Sequence, residues 1–116
     1  MKFVAFCSIV LLLLLTSCKE KTTTSTNDIA NGKTLFADLQ CAACHKENQK
    51  IIGPSLKEMA KIYKAEGASI AQFLNGESNP IIDPSQYDIM KINIEETKKR
   101  TPQERAALEA YIMGFE

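Results

Sequence analysis

The chain has 116 residues, 45% of them hydrophobic, with 14 lysines and arginines against 14 aspartates and glutamates. That length allows one small domain, and a balanced charge without a basic tract gives nucleic acid no footing. Four cysteines, one histidine and no tryptophan leave few groups on which chemistry could rest.

The chain opens with MKFVAFCSIVLLLLLTSC. Lys2 is the only charge, and the stretch from Phe3 to Leu15 carries none. A helix across a bilayer needs about 20 apolar residues, so this shorter run behind a basic start reads as a secretory signal. Its end, Leu15-Thr16-Ser17-Cys18, resembles a bacterial lipobox. On that resemblance residues 1–17 are a lipoprotein signal peptide, cut just before Cys18, which becomes the lipidated N-terminus. Several acyl chains on one cysteine anchor stably where a single chain holds only marginally. An ordinary signal peptide with an incidental cysteine is the alternative. Cys7 is lost in either case, and removal of Lys2 leaves a net charge of −1. Residues 18–27, the lipidated cysteine and a polar run, read as a flexible tether. Lys19, next to the cysteine, favours onward transport to the outer membrane.

The domain proper is then residues 28–116. A helix is expected from Asp28 to Gln40, capped by Asn27 or Asp28, with Ile29, Gly32, Phe36 and Leu39 on one face. Gly32 costs such a helix about 1 kcal/mol against alanine, which makes sense where another backbone packs closely. Pro54 fits the start of a second helix, in which Leu56, Met59, Ala60 and Tyr63 form an apolar stripe. Residues 68–76 read as a short third helix, with Ile70, Phe73 and Leu74 inward and Gly76 as its stop. Residues 79–90 read as irregular chain punctuated by Pro80 and Pro84, with one helical turn starting at Asp83-Pro84. The last helix is the best specified. Thr101, Pro102 and Glu104 form a capping box, and Leu108, Tyr111, Ile112 and Phe115 form its inner face. The fold class is therefore all-α, with four to five short helices.

Fewer than about 90 residues of short helices bury little apolar surface, and domains this small often rely on a disulfide, a metal or a cofactor. CAACH, residues 41–45, is where such a group could attach. A structural zinc site wants four ligands, and only Cys41, Cys44 and His45 are at hand. A redox dithiol of the thioredoxin kind expects a βαβ setting, which the pattern lacks. C-x-x-C-H as a unit is the attachment site of c-type haem. Two thiols add to the two vinyl groups along one edge of the macrocycle, and the histidine turns its imidazole to the iron. Export fits, because bacterial haem attachment takes place outside the cytoplasm.

With that motif in place, residues 29–112 resemble the small class I c-type cytochromes. The resemblance is carried by NGKTLFADLQCAACH, IGPSL, DPSQYDIM and TPQERAALEAYI. It implies a cytochrome c-like fold around one covalently bound haem c, with the first and last helices crossing beside it. Gly32 and Phe36 match the family's positions in one helix, and Leu108 and Tyr111 those in the other. It also implies that His45 is the proximal ligand through Nε2, its other nitrogen bonded to the carbonyl of a proline, here Pro54. The sixth ligand implied is a methionine. Met59 lies on an inward stripe and reads as core. Met113 sits about 140° from Leu108, off the apolar face. Met90, in irregular chain, is the match, although Lys91 stands where the family often has proline. A loop methionine that closes the core, leaving the iron open or bound by lysine, is the alternative.

The function implied is single-haem electron transfer outside the cytoplasm, by a carrier rather than an enzyme. The competing reading is a haem-based sensor or small-ligand binder with an open sixth site. Expected partners are redox proteins and, through the lipid, a membrane. The protein would act alone as a monomer or as a subunit of a respiratory complex. Tyr63 and Tyr87 are placed to reach the haem propionates or the methionine. Lys57, Lys61 and Lys64 form a solvated helix stripe, or a docking patch for an acidic partner.

Overall fold

The computed structural model describes residues 25–116, and the leader, Cys18 and most of the tether lie outside them. Five α-helices follow in order: α1 Thr26–Asp38, α2 Leu56–Glu66, α3 Ile70–Leu74, α4 Tyr87–Lys98 and α5 Pro102–Met113. Short 3-10 turns occupy Cys41–Ala43 and Pro84–Gln86. Among the described residues there is no strand, only an isolated bridge between His45 and Lys50. The all-α expectation holds.

Helix α1 begins earlier than the expected cap at Asn27 or Asp28. Ser25 is the cap and Asp28 the reciprocal member of its capping box, so the last residues assigned to the tether are helical. Two first-turn amide donors are satisfied this way. Of the face expected inward, Gly32 and Phe36 are buried, Leu39 is half-buried, and Ile29 is 39% exposed.

Helices α1 and α5 meet at Gly32. A Cβ added there would stand 2.0 Å from the carbonyl oxygen of Ala107 and 2.7 Å from Cβ of Tyr111. The absent side chain is what lets the two backbones approach. One turn on, the rings of Phe36 and Tyr111 lie 5.4 Å apart. Leu108 and Ile112 continue α5's inner face into the core.

The α2 stripe is as expected, with Leu56, Met59, Ala60 and Tyr63 all buried. Its start is not at Pro54: Ser55 caps it and Leu56 is its first residue. Helix α3 is held from α5, where a Glu109 oxygen accepts from Ser69 Oγ at 2.7 Å and from the Ala71 amide at 2.6 Å. The capping box at the head of α5 forms as expected between Thr101 and Glu104.

Helix α4 is the main departure from the sequence reading, which left residues 87–90 in irregular chain. Ile94 and Thr97 are its buried residues. Its C-terminal end is tied down twice. The Thr97 hydroxyl donates to the Leu74 carbonyl at 2.6 Å. The buried Arg105 guanidinium donates to the carbonyls of Thr97, Lys98 and Arg100, groups that a helix end otherwise leaves unpaired.

Candidate functional site

The motif CAACH follows directly on α1. Gln40 adopts the left-handed conformation at φ 55°, unusual for a residue with a side chain, and turns the chain out of the helix. Cys41 then opens the 3-10 turn, and its carbonyl accepts from the amides of Cys44 at 3.1 Å and His45 at 3.0 Å. That tight turn gathers both thiols and the imidazole into one short piece of chain. Both cysteines are half-buried, and no disulfide joins them. Burial, reinforced by the neighbouring Cys44, pushes the Cys41 thiol up to about 11, against a lowering backbone hydrogen bond. No cluster of three or more His, Cys, Asp or Glu placed to hold a metal ion is found among the described residues.

His45 is fixed by the loop behind it. Its Nδ1 lies 2.8 Å from the Pro54 carbonyl oxygen. A carbonyl only accepts, so Nδ1 carries the proton and donates, and Nε2 is left with its lone pair. Gly53, which the sequence reading passed over, seats the ring. A Cβ there would be 2.4 Å from Cε1 and 2.8 Å from Nδ1 of His45. The Gly53 amide donates to the Cys44 carbonyl at 2.8 Å, and the Leu56 amide to the Lys46 carbonyl at 2.9 Å, so the loop folds back on the motif.

Cys41, Cys44 and His45 border a cavity of about 350 Å³. Phe36, Leu108 and Ile112 close its inner side, and Ile52, Ile81 and Ile89, each at least 40% exposed, stand at its edge. The site is apolar and of a size that suits a flat, hydrophobic group. Met90 lines it and is half-buried; it comes from the first turns of α4, not from a loop. Met59 also lines it but belongs to the buried core, and Met113 does not reach it. Tyr63 and Tyr87 both line the cavity, and burial, with the charge of Glu109 adding to it, holds the Tyr63 phenol up at about 12. Asn93, one turn beyond Met90, and Arg100, just past the end of α4, bring further polar groups to the wall, and neither was singled out from sequence. Lys57, Lys61 and Lys64 lie apart from it on the outer side of α2, where Lys64 pairs with Glu116. The residues therefore fit a macrocycle attached at two thiols, with one free imidazole nitrogen and a thioether bordering the same space.

The family model described as cytochrome c matches residues 29–116. A cytochrome c-551 of Stutzerimonas stutzeri is 35% identical over 71 residues, covering 59% of this chain and 68% of that protein. A cytochrome c-551 of Pseudomonas denitrificans is 35% identical over 46 residues, covering 40% of this chain and 56% of that protein, so the match spans little more than half of this relative.

Proposed function

The chain belongs to the cytochrome c family and carries one covalently bound haem c, and we propose that it is a single-haem electron carrier with its iron held between His45 and Met90. The observation that carries this reading is the shared cavity, which brings CAACH and the Met90 side chain to one apolar space. In this reading Cys41 and Cys44 form the two thioether links. His45 binds through Nε2, and Pro54, by accepting from Nδ1, fixes the ring and raises its basicity.

When bound, the haem supplies a one-electron ferrous–ferric couple. The chain's own part is to hold the ligands still and keep water out. Phe36, Leu108 and Ile112 exclude solvent from the inner side. Ligation by both the His45 imidazole and the Met90 thioether would favour a high potential and would leave the iron no open position for substrate, which supports transport rather than catalysis. Partners are redox proteins, met by a free-standing carrier or by a subunit of a respiratory complex.

The leader and the need for haem attachment outside the cytoplasm support an extracytoplasmic location. Lipidation at Cys18, which lies outside the described residues, would hold the domain at a membrane, the outer one by the argument from Lys19. Tethering raises the local concentration at membrane-bound partners. Among the described residues no helix is long and apolar enough to cross a membrane.

The decisive variant is Met90→Ala in the haem-bearing protein. It should abolish the sulfur-to-iron charge-transfer band of the oxidised form and open the ferrous form to carbon monoxide. A band that survives the substitution would assign the sixth position to another residue.

A further inference from the structure

We propose that Lys50 and Asp83 form a clasp that positions Met90, by tying the segment before α4 to the loop that carries the proximal histidine. The proposal rests on the reading of Met90 as the iron's sixth ligand. Lys50 Nζ and Asp83 Oδ2 are 2.7 Å apart across 33 positions of sequence. The pair is a surface bridge with uneven ends, 17% of the Asp83 side chain being open against 55% of Lys50.

The two ends of the pair differ in how firmly they are built. Lys50 stands on the loop that is bonded back to the motif through Cys44, Lys46 and Glu47 and through the His45 imidazole. Its own backbone forms the bridge with His45. That loop is a fixed frame. Asp83 stands on the stretch between α3 and α4. The Tyr87 amide donates to the Pro84 carbonyl, which runs the stretch into α4; apart from its junction with α4, no backbone hydrogen bond among the described residues joins residues 78–86 to another element. The one side-chain hydrogen bond that leaves this stretch is the one to Lys50.

Helix α4 needs such a hold. Its far end is pinned by Thr97 and Arg105. Its near end, where Met90 lies, has the packing of Tyr87 on Phe73, with centroids 6.1 Å apart, and the clasp. Asp83 is well placed to pass the restraint on. Its second oxygen accepts from Ser85 Oγ at 2.7 Å, and its carbonyl accepts from the Gln86 amide at 3.1 Å, so it is bonded into the turn that leads straight into α4. The hydrogen bonds from Lys50 and Ser85 hold its carboxyl below the ordinary aspartate range. Glu58 is the other carboxylate whose charge Lys50 feels.

The test uses the full haem-bearing protein. Lys50→Met keeps the apolar stem and removes the charge, and Asp83→Asn removes the acceptor's charge. The double variant and the exchanged pair Lys50→Asp with Asp83→Lys complete the set. Carbon monoxide must displace the sixth ligand, so its binding rate to the ferrous protein reports how often Met90 lets go. Each single variant should bind carbon monoxide about two- to fivefold faster, the range a largely exposed pair allows. The double variant should be no faster than the singles, the exchanged pair should recover part of the loss, and high salt should bring the wild type toward the variants. Backbone hydrogen exchange over residues 81–90 should quicken in the same variants.

Unchanged rates and unchanged exchange in both single variants would overturn the clasp. So would effects that simply add in the double variant. Met90→Ala separates this from the underlying assignment. If that variant and the wild type bind carbon monoxide equally fast, the ligand reading has failed; exchange over residues 81–90 then reports on the clasp alone.

Discussion

Replacing Gly32 with alanine sets two effects against each other, and the structure decides the sign. In a helix interior alanine is worth about 1 kcal/mol over glycine. Against that stands the contact with α5: the new methyl would sit 2.0 Å from the Ala107 carbonyl oxygen, 2.7 Å from its carbon and 2.7 Å from Tyr111 Cβ. Non-bonded carbons settle at about 3.5–4.0 Å, so α1 and α5 must part by roughly 1 Å or more. None of the three atoms can be moved by a change of rotamer, because each is backbone or Cβ. The gap would loosen the Phe36–Tyr111 ring contact and the seat of Leu108. Overpacking of this kind costs about 1–3 kcal/mol, and a backbone-on-backbone clash belongs at or beyond the top of that range. After the gain in helix propensity, the net loss should be about 2 kcal/mol. In a domain of this size that lowers Tm by about 8–16 °C. A thermal melt of the haem-bearing protein, followed by far-ultraviolet circular dichroism, measures it. A Tm equal to or above that of the wild type would refute the close helix contact.

Two further substitutions test the site and its frame. Gly53→Ala puts a methyl against the His45 imidazole and should open the bond from Nδ1 to Pro54. A less basic ligand stabilises ferric iron less, so the reduction potential should rise by about 20–40 mV. An unchanged potential, with the Nδ1 proton resonance also unmoved, would contradict the role given to Gly53. Glu104→Gln tests the cap of α5. The Thr101 amide, then the Thr101 hydroxyl and the charges of Arg100 and Arg105, hold the Glu104 carboxyl below its ordinary range. A lowered carboxylate pKa contributes stability above the unfolded value of 4.5, and this is lost as pH falls through the folded value. Glu104→Gln should therefore melt earlier than the wild type near pH 7 and together with it near pH 2. A gap that persists in acid would mean that the charge is not what matters.

How far the sequence could be read depended on whether a contact was local. The stripe on α2, the inner face of α5 and its Thr101–Glu104 box repeat at helical spacing and were legible. The His45–Pro54 bond followed from a family resemblance carried by IGPSL. The start of α1 was misplaced because the polar run before it offers several possible caps, although Ser25 and Asp28 have the spacing of the box that forms. Helix α4 was missed for a clearer reason. Met90, Ile94 and Thr97 do recur at i, i+4 and i+7, but Thr97 is polar and is buried only because Leu74 accepts its hydroxyl. Ile89 and Ile92, 54% and 75% exposed, blur the pattern from the other side. Two prolines upstream then made irregular chain the simpler reading. Lys50 and Asp83 carry no signal at all, since nothing local links residues so far apart.

The same distinction separates the two sides of the iron in the proposed site. The hydrogen bonds that place His45 all lie between Cys41 and Lys57, in a short loop and the start of α2 that follows it. Met90 depends on partners spread along the chain: Thr97 reaching Leu74, Arg105 closing the end of α4, Tyr87 on Phe73, and Lys50 on Asp83. A local hydrogen-bonded turn opens only when its own few bonds break together. A remote element held at two ends can release one of them while the rest stays folded, and such partial openings cost less than global unfolding. Mild denaturant should therefore free the methionine side first and leave histidine attached. Loss of the charge-transfer band should come at a lower denaturant concentration than loss of helix. Coincident transitions would mean that α4 and the CAACH loop open as one unit, and that the spread of Met90's partners along the chain has no energetic meaning.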